Sequence, residues 1–312
     1  MEYILLIIGF VLLIKGADFF VDGASSVAAK LKVPSLIIGL TVVSIGTSLP
    51  EAAVSISASL SGSNGISLGN IIGSNIFNLL MVVGVSSIIL PIATDSAILK
   101  RDMPFNVGMT VILLFMLLDG KLGRVEAVIL LVLLGVYLFI LIRSALKSRK
   151  EGEETKVLTW FKSIVFIVLG AAAIIGGGQL VVNSAKTIAA SLGMSDTLIG
   201  LTVVALGTSL PELVTSVVAA RKGDSGIAMG NVVGSCIFNI LFILGMAGVI
   251  SPMAAERAFF IDTGILIGVC LIMLLFAFTK RKTNRFEGTV CVLMYVAYTA
   301  YIIMRTYGIW IF

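Results

Sequence analysis

The feature that most constrains this chain is a succession of apolar runs, each roughly 20 residues long, which short charged segments separate. Such a run is long enough to cross a bilayer as a helix, whereas the strands of a membrane barrel are about 10 residues long and alternate in polarity. Only 12% of the residues are charged, against about 25% in a soluble domain. The sequence therefore predicts an all-α integral membrane protein.

Ten transmembrane helices fit these runs, at residues 3–28, 35–60, 66–90, 103–118, 124–143, 161–185, 197–219, 227–250, 258–279 and 287–307. Outside the first span, which contains Lys15, the Lys and Arg residues divide 16 to one side and 5 to the other. Because basic residues concentrate in cytoplasmic loops, we expect a multi-pass protein of the cell inner (plasma) membrane with both termini outside.

An internal duplication divides the ten spans. The stretch "GLTVVSIGTSLPEAAVS" (residues 39–55) matches "GLTVVALGTSLPELVTS" (residues 200–216) at an offset of 161, and the same offset pairs "GNIIGSNIFN" (69–78) with "GNVVGSCIFN" (230–239). Each half has five spans, an odd number, so the second half enters the membrane in the opposite orientation. The sequence thus predicts two inverted five-helix repeats, residues 1–146 and 161–312, with a cytoplasmic linker at 147–160. Many secondary transporters are built this way.

Each duplicated stretch places a proline and a glutamate inside an apolar span, Pro50 with Glu51 and Pro211 with Glu212. Proline removes one helix hydrogen bond and clashes with the carbonyl four residues earlier. Lipid cannot satisfy a carbonyl freed in this way, so it must face protein or water. A glutamate at this depth is costly and marks a functional site by default. We therefore expect a bent helix and a polar centre at each proline.

Further polar residues share a helix face with each glutamate. Spacings of i, i+3, i+4 and i+7 align Ser44, Thr47, Ser48 and Glu51. The second repeat has Thr208, Ser209 and Glu212 at the same positions, with the apolar Ala205 in place of Ser44. In the next span of each repeat, one helical turn separates Ser74 from Asn78 and Ser235 from Asn239. These are oxygen ligands, which suit hard cations such as Na⁺, Ca²⁺ and Mg²⁺, and flexible carbonyl-rich sites favour Ca²⁺ over Mg²⁺.

One further charged cluster lies in the first span. Asp18 and Asp22 are one turn apart near its inner end, and Lys15 lies one turn before Asp18. We interpret them as a local ion pair at a hydrated helix end; the alternative is a polar vestibule for cations. Their partners at the offset of 161 are Gln179 and Asn183, so this cluster is not part of a symmetric centre.

At the duplicated motifs the sequence resembles the cation/calcium exchanger superfamily, specifically the prokaryotic sodium/calcium exchangers. The resemblance implies that Glu51 and Glu212 are the central cation ligands. It adds further ligands from both repeats: Thr47, Ser48, Ser74, Asn78, Thr208, Ser209, Ser235 and Asn239. It also implies that main-chain oxygens near Ser44 and Ala205 serve flanking sodium sites, and that spans 3–28 and 161–185 slide to expose the centre alternately to each side.

We therefore predict a Na⁺/Ca²⁺ antiporter rather than an enzyme. Two carboxylates carry a charge of −2, which one Ca²⁺ or two Na⁺ neutralise; a third Na⁺, as the resemblance implies, makes the exchange electrogenic. Some family members carry Asp where this chain has Asn239, a pattern that the potassium-dependent branch resembles, so we expect K⁺-independent exchange. The expected partners are Na⁺, Ca²⁺ and membrane lipid, with no cofactor, no nucleic acid and a monomeric state. Ca²⁺/H⁺ antiport and a passive cation channel are the alternatives.

Overall fold

The computed structural model describes residues 1–62, 64–147, 157–193 and 205–307 of the 312-residue chain. Most of these residues are helical. Seven of the described helices are long and apolar enough to cross a membrane, and the pair Ser35–Thr47 and Leu49–Leu60, bent by 49°, is an eighth candidate. The predicted class, a multi-pass helical membrane protein, is therefore confirmed.

The helices of the first half are α1 (Glu2–Leu31), α2 (Ser35–Ile38), α3 (Ser44–Thr47), α4 (Leu49–Leu60), α5 (Asn64–Phe77), α6 (Val83–Ile89), α7 (Met103–Met116) and α8 (Arg124–Lys147). Three π-helical segments lie between them, at Gly39–Val43, Asn78–Val82 and Ile98–Asp102. Helix α7 has only 14 residues, in agreement with the short fourth span predicted at residues 103–118.

The described helices of the second half are α9 (Trp160–Ser191), α10 (Ala205–Thr208), α11 (Leu210–Arg221), α12 (Ser225–Phe238), α13 (Gly245–Ile250), α14 (Arg257–Lys280) and α15 (Arg285–Thr306). A π-helical segment, Asn239–Leu244, joins α12 to α13. The span predicted at residues 197–219 lies partly outside the described residues, and its described part consists of α10 and α11.

Helices α1 and α9 run antiparallel in close contact. Gly9 of α1 meets Gly177 of α9, and Gly16 meets Gly170, so the order of contacts is reversed along the two helices. A Cβ atom at Gly16 would lie 2.9 Å from the carbonyl oxygen of Gly170. Small residues let two membrane helices approach to backbone contact, and here they make α1 and α9 one packed pair.

The helices that carry the duplicated motifs form the centre of the molecule. Over the most apolar 18-residue stretch of each span, the buried share is 78% in Gly65–Ile89, which runs from α5 to α6, and 72% in Ser225–Ile250, which runs from α12 to α13. In Arg285–Thr306 (α15) it is only 11%. Close backbone contact again explains the packing, because a Cβ atom at Gly234 would lie 2.8 Å from the Cα atom of Leu40. The motif glycines do not all act in this way, since a Cβ atom at Gly73 would meet nothing within 4 Å.

In the described part of the chain, four two-residue strands connect the loops of the two halves: β1 (Ile92–Ala93), β2 (Lys121–Leu122), β3 (Met253–Ala254) and β4 (Lys282–Thr283). Strand β1 pairs with β4, and β2 pairs with β3, both antiparallel. The offset of 161 carries Ile92 to Met253 and Lys121 to Lys282. The two pairings are therefore equivalent under the duplication.

The prediction that Asp18 and Asp22 pair with Lys15 inside the first span is wrong, because their partner is Lys222. Lys222, which follows α11, has its Nζ atom 2.7 Å from Asp22 Oδ1 and 3.5 Å from Asp18 Oδ1. Lys15 is exposed and takes part in no ion pair within the described part of the chain. A tertiary contact over 200 residues replaces the local one, because packing brings Lys222 to the face of α1 that carries both carboxylates. The cluster therefore ties α1 to α11.

Candidate cation site

The two proline-containing stretches break where the sequence predicts a bend. Ser48 separates α3 from α4 with φ −85° and ψ 7°, and Ser209 separates α10 from α11 with φ −95° and ψ 6°. Pro50 and Pro211 occupy the first turn of the following helix, where the absent N–H has no intrahelical partner to lose. Each proline thus begins a new helix segment, and the bend predicted at Pro50 is confirmed at 49°.

The two glutamates lie in the first turns of these segments, Glu51 in α4 and Glu212 in α11, and both side chains are completely buried. The amino-terminal end of a helix carries partial positive charge and stabilises a nearby carboxylate. Neither glutamate takes part in any of the ion pairs found among the described residues. The helix ends and hydroxyl groups therefore provide the favourable interactions that hold these two buried acids.

Hydroxyl groups from opposite halves of the chain hold the two carboxyl groups. Ser209 Oγ donates to Glu51 Oε1 at 2.8 Å, and Ser48 Oγ donates to Glu212 Oε1 at 2.9 Å. Ser74 Oγ lies 3.2 Å from the same Glu51 oxygen and 3.0 Å from Ser209 Oγ. Although Ser48 and Ser209 stand at helix N-caps, neither side chain caps its own helix. The two halves thus meet at one centre.

Several buried oxygens of the predicted ligands have no hydrogen-bond partner among the residues that the structure describes. They are Glu51 Oε2, Glu212 Oε2, Asn78 Oδ1, Asn239 Oδ1 and Thr208 Oγ1. Buried polar atoms in proteins are nearly always hydrogen-bonded, and leaving one unsatisfied costs about 1–3 kcal/mol, more when the group is charged. Unsatisfied acceptor oxygens from both halves are the kind of ligand that a hard cation needs.

The two amide residues begin π-helical segments. Asn78 is the first residue of Asn78–Val82, and Asn239 is the first residue of Asn239–Leu244. Single wide turns of this kind occur frequently at functional sites, because they disrupt the regular hydrogen-bond ladder. The sequence predicts a continuous helix at both places, so the wide turns are a finding of the structure.

Predicted ligands of both repeats lie beside the main-chain carbonyl of Ser44. Thr47 Oγ1 lies 3.3 Å from this oxygen, and Ser235 Oγ donates to it at 3.5 Å. Thr47 Oγ1 also donates to Asn231 Oδ1 at 2.9 Å. Ala205, the counterpart of Ser44, begins α10. The four residues before it lie outside the described part of the chain. The structure thus brings together hydroxyls of both repeats at one main-chain oxygen.

Two asparagines that the sequence analysis did not assign support the glutamates. Asn70 Nδ2 donates to the main-chain oxygen of Glu51 at 3.3 Å, and Asn231 Nδ2 donates to that of Glu212 at 3.3 Å. Both belong to the duplicated "GN" motif at the offset of 161. The duplication was the signal that could have identified them, since a polar residue repeated inside two buried helices needs a partner.

The fold and the buried carboxylate pair define an integral membrane protein in which two broken helices meet at an oxygen-lined centre. The chain belongs to the sodium/calcium exchanger protein family, whose model matches residues 1–143 and again residues 162–304. Both ends of the two matches differ by 161, the offset of the duplication. The resemblance seen in the motifs is thereby confirmed, and the family is one of transporters rather than enzymes.

Relatives of known name cover nearly the whole chain. It is 37% identical to the putative antiporter CaxA of Alkalimonas amylolytica over 95% of this chain and 96% of that protein. It is also 37% identical to the sodium/calcium exchanger MaX1 of Methanosarcina acetivorans, over 95% and 97%. Among solved structures, it matches the sodium-calcium exchanger NCX_Mj soaked with Na⁺ and Ca²⁺, with a TM-score of 0.85, 34% identity and coverage of 96% and 97%.

Proposed function

We propose that this protein exchanges Na⁺ for Ca²⁺ across the cell membrane by alternating access. The observation that carries the proposal is the set of unsatisfied carboxyl and amide oxygens at the buried centre, contributed by Glu51 and Asn78 from one half and by Glu212 and Asn239 from the other. Membership of the sodium/calcium exchanger family and the likeness to MaX1 and NCX_Mj support the choice of ions.

Charge explains why such a site exchanges ions rather than leaking them. With both glutamates ionised, the empty centre carries −2, and moving an unpaired buried charge across a low-dielectric barrier is very unfavourable. One Ca²⁺ or two Na⁺ neutralise the centre, and the two loads share the same oxygens, so they bind alternately. The protein can therefore switch the access of a loaded centre from one side of the membrane to the other, but it cannot do so when the centre is empty.

The ligands divide between a central and a flanking position. Glu51 and Glu212, with the amides of Asn78 and Asn239, provide the central acceptors. Four hydroxyls join them: Ser48, Ser74, Thr208 and Ser209. The main-chain oxygen of Ser44, with the hydroxyls of Thr47 and Ser235 beside it, is suited to a Na⁺ ion, and the carbonyl of Ala205 is its counterpart. A third Na⁺ bound at such a flanking position makes the exchange electrogenic.

The transport cycle requires that one centre opens alternately to each side of the membrane, and the duplication can provide this. Ten spans in two inverted repeats, residues 1–146 and 161–312 with a cytoplasmic linker at 147–160, place equivalent helices in opposite orientations within the membrane. The paired family matches and the equivalent strand pairings support this layout. In this layout both termini lie on the outer side of the inner (plasma) membrane. The chain acts as a monomer, and the packed pair α1 and α9 slides along the centre.

The test is uptake of ⁴⁵Ca²⁺ into proteoliposomes loaded with Na⁺ and diluted into Na⁺-free buffer, with K⁺ present or absent. We expect uptake that requires internal Na⁺, is unaffected by K⁺, and is abolished in Glu51→Gln and Glu212→Gln. Normal uptake by either variant would contradict the ligand assignment. Uptake driven by a pH gradient but not by Na⁺ would favour Ca²⁺/H⁺ antiport, and Ca²⁺ flux without any counter-ion would favour a channel.

A further inference from the structure

A chain of amide hydrogen bonds connects the main chain of one half to a proposed ligand of the other. Asn75 lies in α5 beside Ser74, and its side chain is buried with 1% exposure. Its Nδ2 atom donates to the main-chain oxygen of Cys236 at 3.1 Å. Its Oδ1 atom accepts from Asn239 Nδ2 at 3.0 Å. Asn75 therefore stands between a fixed carbonyl and the amide of Asn239.

The chemistry of these groups determines which way each amide points. A main-chain carbonyl can only accept a hydrogen bond, so the NH₂ group of Asn75 must face Cys236. The oxygen of Asn75 then faces Asn239, which must present its own NH₂ group in return. The remaining atom, Asn239 Oδ1, is left for the centre, and it is one of the buried oxygens that have no partner among the described residues. A second contact, from Asn239 Nδ2 to Ser74 Oγ at 3.4 Å, favours the same orientation.

The two repeats carry different residues at the position of Asn75. The offset of 161 places Cys236 where the first half has Asn75. The Cys236 thiol lies 3.8 Å from the main-chain oxygen of Asn75 and provides no amide oxygen for Asn78. Accordingly, both amide atoms of Asn78 are buried without a partner in the described part of the chain. The two equivalent amides thus differ, because Asn239 is held in one orientation and Asn78 is not.

We propose that Asn75 is a positioning residue which directs Asn239 Oδ1 towards the transported cation and so sets the affinity of the site. The inference rests on the proposed function, since Asn239 must be a ligand for its orientation to matter. A group already held in its bound orientation does not have to be ordered on binding, which favours affinity. Asn239 is therefore the preorganised amide of the site, and Asn78 is the adaptable one.

The test is a double-mutant cycle on Ca²⁺ uptake in Na⁺-loaded proteoliposomes, with KM and maximal rate measured separately. Asn75→Leu keeps the approximate side-chain shape and removes both hydrogen bonds of Asn75. We expect the KM for Ca²⁺ to rise about tenfold, because the hydrogen bond that holds Asn239 is lost. The maximal rate should change little. Asn75→Ser, a smaller polar variant that cannot reach Asn239, should raise the KM similarly and guards against misfolding of the leucine variant. Cys236→Ala, at the equivalent position, is the matched control and should leave the KM within about twofold.

The decisive comparison uses Asn239→Ala. If Asn75 acts through Asn239, then Asn75→Leu adds nothing to the KM of an Asn239→Ala protein, because coupled residues are not additive. Additive effects of the two substitutions, or a fall in maximal rate at unchanged KM, would overturn the positioning role. A wild-type protein without Na⁺-dependent uptake would instead overturn the proposed function, so the two failures are distinguishable.

Discussion

Ser48 and Glu212 come from different halves of the chain, yet their side chains meet at the centre, where Ser48 Oγ donates to Glu212 Oε1 at 2.9 Å. The equivalent contact joins Ser209 to Glu51 at 2.8 Å. Each carboxyl group is therefore held by the broken helix of the other half. A displacement of one half against the other must therefore change the surroundings of both acids.

The two glutamates differ in the number of hydrogen bonds that their Oε1 atoms accept. Glu51 Oε1 accepts from both Ser209 and Ser74, whereas Ser48 is the one side chain in the described residues that donates to Glu212 Oε1. A hydrogen bond to a charged group contributes about 1.5–3 kcal/mol. We therefore expect Ser48→Ala to raise the KM for Ca²⁺ about tenfold or more, and Ser209→Ala to raise it less. Uptake kinetics of both variants measure the difference, and the reverse order would contradict it.

The contact between Lys222 and Asp22 offers a test of helix movement. If α1 slides past α11, a covalent link between them must stop transport. We expect Asp22→Cys with Lys222→Cys, joined by a short reducible thiol reagent, to lose ⁴⁵Ca²⁺ uptake and to regain it on reduction. The three native cysteines are buried and provide little background reaction. Full uptake by the linked protein would exclude movement of α1 relative to α11.

A matched control links α1 to α9 instead. Ser163 Oγ lies 2.9 Å from Ser26 Oγ, so Ser26→Cys with Ser163→Cys places two thiols within reach of each other. Because α1 and α9 form one packed pair, we expect this link to leave uptake largely intact. A block of transport here as well would mean that the two helices move independently.

The glycine contact between α1 and α9 predicts a stability effect. Gly16→Ala places a methyl group 2.9 Å from the carbonyl oxygen of Gly170, and overpacking of this kind costs about 1–3 kcal/mol. Gly108→Ala is the control, because Gly108 lies inside α7 with nothing within 4 Å of an added Cβ atom. We expect thermal unfolding in detergent to show a lower Tm for Gly16→Ala only. Equal changes in both proteins would contradict the close packing.

An ion pair between a buried aspartate and a partly exposed arginine, outside the centre, predicts a second stability effect. Asp102 is completely buried and accepts from Arg101 at 2.8 and 3.0 Å and from the Tyr137 hydroxyl at 3.1 Å. Removing one partner of a buried pair costs about 3–5 kcal/mol, because an unpaired charge remains. We expect Arg101→Met to lower the Tm strongly, and Arg101→Met with Asp102→Asn to restore much of it. A double variant no more stable than the single one would show that the charge is not the cause.

The site could be predicted from the sequence as far as the duplication reaches. Glu51 and Glu212 fall at equivalent positions, and the cost of burying a carboxylate in an apolar span already required them to meet something polar. The bend at Pro50 followed in the same way from the chemistry of proline. These inferences depend on local geometry and on one long repeat, both of which the sequence displays directly.

What could not be predicted depends on tertiary contact. Lys222 reaches Asp22 over 200 residues, whereas the sequence offers Lys15 within two helical turns, and only the packing of α11 on α1 decides between them. The wide turns that begin at Asn78 and Asn239 have no local signal, because they arise where packed helices give up regular hydrogen bonds. The orientation of the Asn239 amide depends on Asn75, which belongs to the other half of the chain.

The loop strands have a consequence for how such a chain could have arisen. Strand β1 of the first half pairs with β4 of the second, and β2 pairs with β3, so a half on its own would expose two unpaired edges and one lone buried acid. An ancestor of half the length could have completed these pairings, and the pair of acids, by assembling two copies. Gene fusion would then have made the two copies free to diverge, and the exchange of Asn75 for Cys236 at equivalent positions is a difference that identical copies could not have had.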